Sequence, residues 1–267
     1  MQRRAVFRIK SDLKELEESK LDYVHYYVNE DDITQIYIMI IGRKGTPYED
    51  CPFFFKFDMP RDYPLVSPKV KFCTSDGKTR FNPNLYVDGK VCLSILGTWS
   101  GEPWTCAMTM LTVINSICGL VMIEDPLKNE PGWEGAPRKD LDEYNKVVEY
   151  RSFWVAYIDQ LENCPDVFLP FKDRMIENLR NTYDNMMTRV RKLKSKIDGE
   201  MVTPRYGASW DLNYTELEKK LEDLGNKYGL KKRKIAKDCE IGDIFSENGK
   251  EYVIALNKRG VKFWKKK

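Results

Sequence analysis

The sequence predicts an α+β fold, with strands gathered early in the chain and helices gathered later. Apolar residues recur at spacings of three and four in residues 6–18 and again beyond position 140. Three runs rich in Ile, Phe, Tyr and Val lie between positions 33 and 73, separated by turn residues. The segment 107–123 is apolar nearly all round, as a buried helix is.

The elements follow in order. Val6, Ile9, Leu13 and Leu16 form one stripe of an amphipathic first helix. ITQIYIMIIG (33–42), CPFFFKFDMP (51–60) and SPKVKFC (67–73) read as strands of an antiparallel meander, joined through RKGTPYED and RDYPL. Pro, Asn, Asp and Gly crowd positions 82–89, which predicts an irregular loop. A buried helix is expected over Ala107–Ile123, interrupted by Gly119, and then a loop over 125–137 with three prolines and two glycines. Asp140 is placed to cap a helix reaching Leu161. A long polar helix from Pro170 to Ile197 carries a stripe of Met175, Ile176, Leu179, Tyr183, Met186, Met187, Val190 and Leu193. Residues 198–211 read as a linker or loose return, and YTELEKKLEDLGNKYG as a short helix with a glycine stop. Two or three small strands follow, with ENGK as a hairpin turn, since Asn-Gly favours the type I′ geometry.

With 267 residues, 42% apolar and 32% charged, the chain is long enough to bury a core and too apolar to be disordered. No apolar run approaches the roughly 18 residues a bilayer span needs, and no membrane partner is expected. The amino-terminal run is too charged for a secretory signal. Seven cysteines without regular spacing read as free thiols in a reducing compartment, cytoplasmic or nuclear. From Lys219 to Lys267 there are 15 Lys and Arg against 7 Asp and Glu, a surplus of eight that exceeds the net +3 of the whole chain. The remainder is acidic, and the basic character lies in the tail.

No CxxC pair occurs and there is one histidine, His25, so no metal site is expected. A cysteine protease would need His25 as its base, but a strand histidine in LDYVHYYV is the plainer reading. Neither GxxxxGK[ST] nor GxGxxG is present, so no nucleotide or other cofactor is expected on this chain. Cys92 remains. Flanked by Val91 and Leu93, it reads either as a small core residue or as a nucleophile. A polar loop with Pro83 and Asn84 ends eight residues upstream, and such a loop can supply donors to a thioester or its oxyanion. A thiolate can exchange with an incoming thioester without an imidazole base.

PRDYPLVSPKVKF (60–72), NPN (82–84), GKVCLSIL (89–96), Trp104 and DPLKNEP (125–131) occur in the order in which ubiquitin-conjugating enzymes carry such motifs. The resemblance to that family runs from the first helix to about Leu161, with the spacing from Asn84 to Cys92 in agreement. It is closest to the larger, divergent members with an extended loop after the cysteine and a carboxy-terminal extension. It implies a UBC-like core: an N-terminal helix, a four-stranded antiparallel meander, a buried central helix and C-terminal helices. A small basic α+β extension would follow. The expected organisation is a conjugating core at 1–165, a helical extension at 166–200 and a basic module at 205–267.

By the resemblance, Cys92 accepts the modifier as a thioester and Asn84 supports the oxyanion or its loop. Glu130 matches the acidic gate residue that orients the attacking lysine; an ordinary solvated loop charge is the competing reading. Leu65, and Trp104, Thr105 and Ala107, match the two loops that meet ligases, although Trp104 can serve core packing as well. The implied partners are ubiquitin or a ubiquitin-like modifier, an activating enzyme that uses the ATP, protein substrates and a ligase. Three departures stand out. The motif histidine is Asn82 here, Thr105-Cys106-Ala107 replaces Ser-Pro-Ala, and Ser94 stands where relatives carry an acid. Cys118 reads as core and Cys106 is unassigned.

KKRK (231–234) and the terminal KKK read as solvated charge, or as a nuclear-import or docking signal, with nucleic-acid contact disfavoured. The alternative to an active enzyme is a non-catalytic, conjugating-enzyme-like adaptor that binds ubiquitin or a partner enzyme. The presence of both Cys92 and Asn84 argues against it.

Overall fold

The computed structural model describes residues 3–230, 240–247, 250–257 and 260–267. Helix α1 (Arg3–Glu18) buries Ala5, Ile9, Asp12 and Leu16, one residue round from the expected stripe, with Val6 and Leu13 half-buried beside it. Asp12 is a carboxylate within that apolar stripe. It accepts from the Tyr63 hydroxyl, from Arg8 Nε at 2.6 Å and from the Met110 backbone N–H at 3.0 Å. A buried charge is tolerable when its oxygens are satisfied in this way.

Four strands, β1 (Val24–Val28), β2 (Gln35–Ile41), β3 (Pro52–Asp58) and β4 (Lys69–Phe72), form an antiparallel meander in sequence order. Val24 pairs with Ile40, Ile38 with Phe55, and Phe55 with Phe72. The near-continuous apolar runs of β2 and β3 have a structural reason: both faces of these strands are covered. On one face Phe53 packs with Phe72 and Phe81. On the other, Phe168 stacks on Phe54 at 4.5 Å and meets Tyr37 edge-on at 5.7 Å. His25 lies on β1 opposite Met39; burial first, then the Arg174 charge, lower its pKa.

Helix α2 (Met110–Ser116) continues into π-type turns at Ile117–Val121. The expected all-buried helix over 107–123 is therefore shorter, and one side of it is open, with Leu120 62% exposed. Helix α3 starts at Arg138 rather than at Asp140 and runs to Arg151, continuing through π turns (Ser152–Asp159) into the short α4 (Gln160–Glu162). Asp140 sits inside the first turn, where its negative charge still complements the positive N-terminal end of the helix dipole. Helix α5 (Lys172–Ile197) buries Met175, Leu179, Tyr183, Met186, Met187 and Val190 of the expected stripe, with Ile176 and Leu193 half-buried beside them.

Residues 198–211 are not a loose return. Strands β5 (Glu200–Val202) and β6 (Trp210–Leu212) pair as a hairpin, with position 205 inside its loop. Helix α6 (Tyr214–Lys227), capped by Asn213, packs Leu217, Leu221 and Leu224 into the same apolar cluster as the sheet. Strands β7 (Ile244–Glu247), β8 (Lys250–Leu256) and β9 (Lys262–Lys266) form a separate three-stranded antiparallel sheet. Glu247 pairs with Lys250; Asn248 and Gly249 of the expected ENGK turn lie outside the described residues. KKRK lies outside the described residues. Among the described residues, no helix is long and apolar enough to cross a membrane.

Candidate active site

Cys92 lies at the end of a loop whose shape is set by short-range polar contacts. Asp76 accepts from the Lys78 and Thr79 backbone N–H groups, from the Thr79 hydroxyl and from Arg151 at 2.7 Å. Burial opposes ionisation there, but those donors outweigh it and hold the Asp76 carboxyl below the usual aspartate range. Arg80 then donates to the carbonyls of Asn82 and Pro83 at 3.2 and 2.7 Å. Gly89, at φ +93°, lets the next turn approach β4: a Cβ there would stand 2.6 Å from the Phe72 carbonyl oxygen. The Phe72 N–H donates to the Gly89 carbonyl, which fixes that approach.

Asn84 and Cys92 hold each other. The Cys92 N–H donates to the Asn84 carbonyl at 2.8 Å, and Asn84 Nδ2 donates back to the Cys92 carbonyl at 2.9 Å. Cys92 itself is only 2% exposed. On its other side, the Thr98 hydroxyl donates to the Val91 carbonyl at 2.7 Å and accepts from the Leu93 N–H at 2.9 Å. Thr98 thus ties together the two residues that flank the thiol.

Asn82, fully buried, is the hub of the loop. Its Oδ1 accepts from the Asn84 N–H at 2.7 Å, and its Nδ2 donates to the Val121 carbonyl at 2.7 Å. Asn129 Nδ2 donates to the Leu120 carbonyl at 2.8 Å and approaches Asn82 Oδ1 at 3.3 Å. The π turns explain this pattern. Widening the helix frees carbonyls from the i→i−4 ladder, and side-chain amides take them up. Glu130, half-buried, follows Asn129 directly at the end of the turn Pro126–Asn129. The loop of Cys92 and Asn84 and the loop of Glu130 are therefore joined through Asn82 and Asn129.

Of the residues singled out from sequence, Leu65, Trp104, Thr105 and Ala107 form a second group. Trp104 Nε1 donates to the Pro64 carbonyl at 2.7 Å, and its ring lies 5.9 Å from that of Tyr63. This contact brings the 63–66 and 104–107 loops together, leaving Leu65 77% exposed and Thr105, Cys106 and Ala107 at the surface. Arg8 fastens the latter loop through the carbonyls of Cys106 and Met108. Cys118 is buried. Among the described residues, no group of three or more His, Cys, Asp or Glu is placed to hold a metal.

Sequence reasoning missed Thr98, Asn129 and Arg80. Arg80, next to the Asn loop, and Asn129, inside DPLKNEP, carried a positional hint. The arrangement offers a thiol, amide donors around it and a carboxylate beyond them, which is a set suited to acyl transfer through a covalent intermediate.

A family profile described as Ubiquitin-conjugating enzyme matches residues 8–152. Ubiquitin-conjugating enzyme E2 Z of Xenopus tropicalis is 33% identical over 239 residues, covering 87% of this chain and 75% of that protein. The Danio rerio protein of the same name is 37% identical, covering 68% of this chain and 56% of that protein. The Homo sapiens one is 42% identical, covering 57% of this chain and 44% of that protein. The chain thus spans three-quarters of the frog protein and about half of the other two.

Proposed function

Because the chain belongs to the ubiquitin-conjugating enzyme family and has its fold, we propose that Cys92 accepts ubiquitin or a ubiquitin-like modifier from an activating enzyme. The acyl group then passes to a lysine amine or to a ligase. In the first step the Cys92 thiolate attacks the carbonyl carbon of the incoming thioester, and the activating enzyme's thiolate leaves. In the second the amine attacks the Cys92 thioester, the Cys92 thiolate leaves, and the amine's proton goes to Glu130 or to water.

The observation that carries this reading is the reciprocal pair of hydrogen bonds between Asn84 and Cys92. It fixes an amide donor beside the nucleophile. Rotating Nδ2 away from the Cys92 carbonyl would offer it to the oxyanion of the tetrahedral intermediate, and the backbone bond would still hold the loop. Glu130 would orient the incoming ammonium and ease its deprotonation. Leu65 with Trp104, Thr105 and Ala107 would form the face presented to a ligase. ATP is consumed by the activating enzyme, and no cofactor is assigned to this chain. The free thiols fit a reducing compartment, cytoplasm or nucleus.

The test is charging with a panel of activating enzymes and modifiers. An adduct that reductant cleaves is expected on the wild-type chain, and a reductant-stable ester on Cys92→Ser. Absence of any adduct with every modifier tried would leave only the adaptor reading.

A further inference from the structure

The peptide group between Pro83 and Asn84 is held at both ends. Its N–H donates to Asn82 Oδ1 and its carbonyl oxygen accepts from Arg80, each at 2.7 Å. Arg80 Nε also reaches the Asn82 carbonyl at 3.2 Å. A planar guanidinium directs two such bonds as a rigid fork, which the flexible ammonium of a lysine does not reproduce. The orientation of that peptide sets where the Asn84 side chain points beside Cys92, so Arg80 acts on the amide through the backbone.

Arg80 is itself fixed in part by residues beyond the matched segment 8–152. Its guanidinium carbon lies 3.6 Å from the Tyr86 ring centroid and 5.7 Å from that of Tyr206, in the loop between β5 and β6. The backbone of the same loop passes close by: a Cβ on Gly207 would stand 3.9 Å from the Arg80 Cβ. Tyr144 on α3 donates to the Arg80 carbonyl at 2.6 Å, and its ring lies 6.1 Å from that of Tyr206. Rings beside a guanidinium shield its hydrogen bonds from water and add a cation–π attraction. The hairpin is fastened to α3 by Lys146 to Glu200 at 2.8 Å and by Arg205 to Asp140 at 3.6 Å. A second contact of the same kind lies nearby. The guanidinium carbon of Arg151, which holds Asp76 and Thr79, is 4.1 Å from the Trp210 ring centroid.

We propose that Arg80 is a positioning residue for transfer from Cys92, orienting the Pro83–Asn84 peptide, and that the β5–β6 hairpin holds Arg80 in place through Tyr206. The hairpin is then part of the site and not an appendage. The role rests on the assignments of Cys92 and Asn84 proposed above.

The experiment uses the full chain, charged in a single turnover and then discharged onto free lysine at varied concentration. Arg80→Lys keeps the charge and removes the fork. It is expected to lower the maximal discharge rate about 5-fold, the worth of one ordinary hydrogen bond, with the half-saturating lysine concentration unchanged. In an Asn84→Ala background the same change is expected to cost nothing further, because the amide that it positions is gone. Tyr206→Leu, which keeps apolar bulk and removes the ring beside Arg80, is expected to lower the rate about 3-fold, and not at all in an Arg80→Lys background. Wild-type discharge by Arg80→Lys, or an undiminished loss in the Asn84→Ala background, overturns the role of Arg80. An undiminished loss from Tyr206→Leu in the Arg80→Lys background overturns that of the hairpin. Should Arg80→Lys fail to fold, Tyr206→Leu with and without Asn84→Ala puts the same question, and a loss independent of Asn84 overturns the proposal. A wild-type chain that never charges overturns the proposed function itself, and the role of Arg80 with it.

Discussion

Asn82 Nδ2 and the carbonyl of Val121 are joined by a hydrogen bond of 2.7 Å, between residues 39 positions apart. The bond ties the loop before Cys92 to the π turns after α2. With Oδ1 engaged by the Asn84 N–H as well, a fully buried amide holds the geometry for which the family resemblance leads one to expect a histidine.

Replacing Asn82 by Ala removes both contacts and leaves the Val121 carbonyl buried without this donor. The expected cost is about 2–3 kcal/mol of stability, measured as a fall in the denaturant midpoint at unchanged slope. Cys92 charging should fall with it, because the Asn84 turn loses its anchor. Asn82→His is expected to restore part of both, since an imidazole N–H can still donate to Val121. A variant Asn82→Ala as stable as wild type would show that the amide is not the hub.

Thr98 makes a sharper prediction about the thiol itself. Its hydroxyl bonds the carbonyl before Cys92 and the N–H after it, and Cys92 is 2% exposed. Thr98→Val preserves shape and deletes both bonds, at a cost of about 1–2 kcal/mol. The Cys92 peptide, followed by mass spectrometry, should alkylate faster in the variant as the segment from Val91 to Leu93 loosens. Unchanged alkylation would mean that the packing around Leu93, not Thr98, encloses the thiol.

The contrast between these two residues shows what was legible in the sequence. The Asn84-to-Cys92 spacing and the apolar strands β2 and β3 are local patterns, and both could be read directly. Asn129 and Thr98 act through contacts that depend on where π turns and a 3₁₀ turn fall, and no periodicity announces those. Asp12 sits in an apolar stripe because Tyr63, 51 residues away, satisfies it. Strands of three residues, as in β5 and β6, complete hardly more than one period of alternation. Residues 198–211, which form this hairpin, therefore read from sequence only as a linker or a loose return.

Asp76 supplies a pH dependence. Its donors hold its carboxyl below the usual value in the folded state, so its contribution to stability is full above the unfolded pKa of about 3.9 and fades as pH falls through the folded value. Asp76→Asn should therefore be less stable than wild type at pH 7. The gap should begin to close as pH falls below about 4 and disappear only below the lowered folded value, where the wild-type carboxyl is protonated too. Melting temperatures of the two proteins between pH 3 and 7 test this; a constant difference would show that the ionised form is not what Arg151 and the loop N–H groups favour.

Gly225 tests how closely the two late helices are fitted. In an exposed helix interior, Gly→Ala gains about 1 kcal/mol through propensity alone. Here a Cβ on α6 would stand 2.3 Å from the Tyr183 hydroxyl oxygen and 2.5 Å from its ring carbon on α5. Tyr183 is 6% exposed within the core cluster, so its ring cannot simply turn aside. Overpacking of this kind costs about 1–3 kcal/mol, which outweighs the propensity gain. Gly225→Ala should lower the melting temperature, and Tyr183→Leu combined with it should recover part of the loss by vacating the space. A stabilised Gly225→Ala would mean that α6 shifts on α5 at little cost, and the hairpin it follows would then be less firmly held against the Cys92 loop.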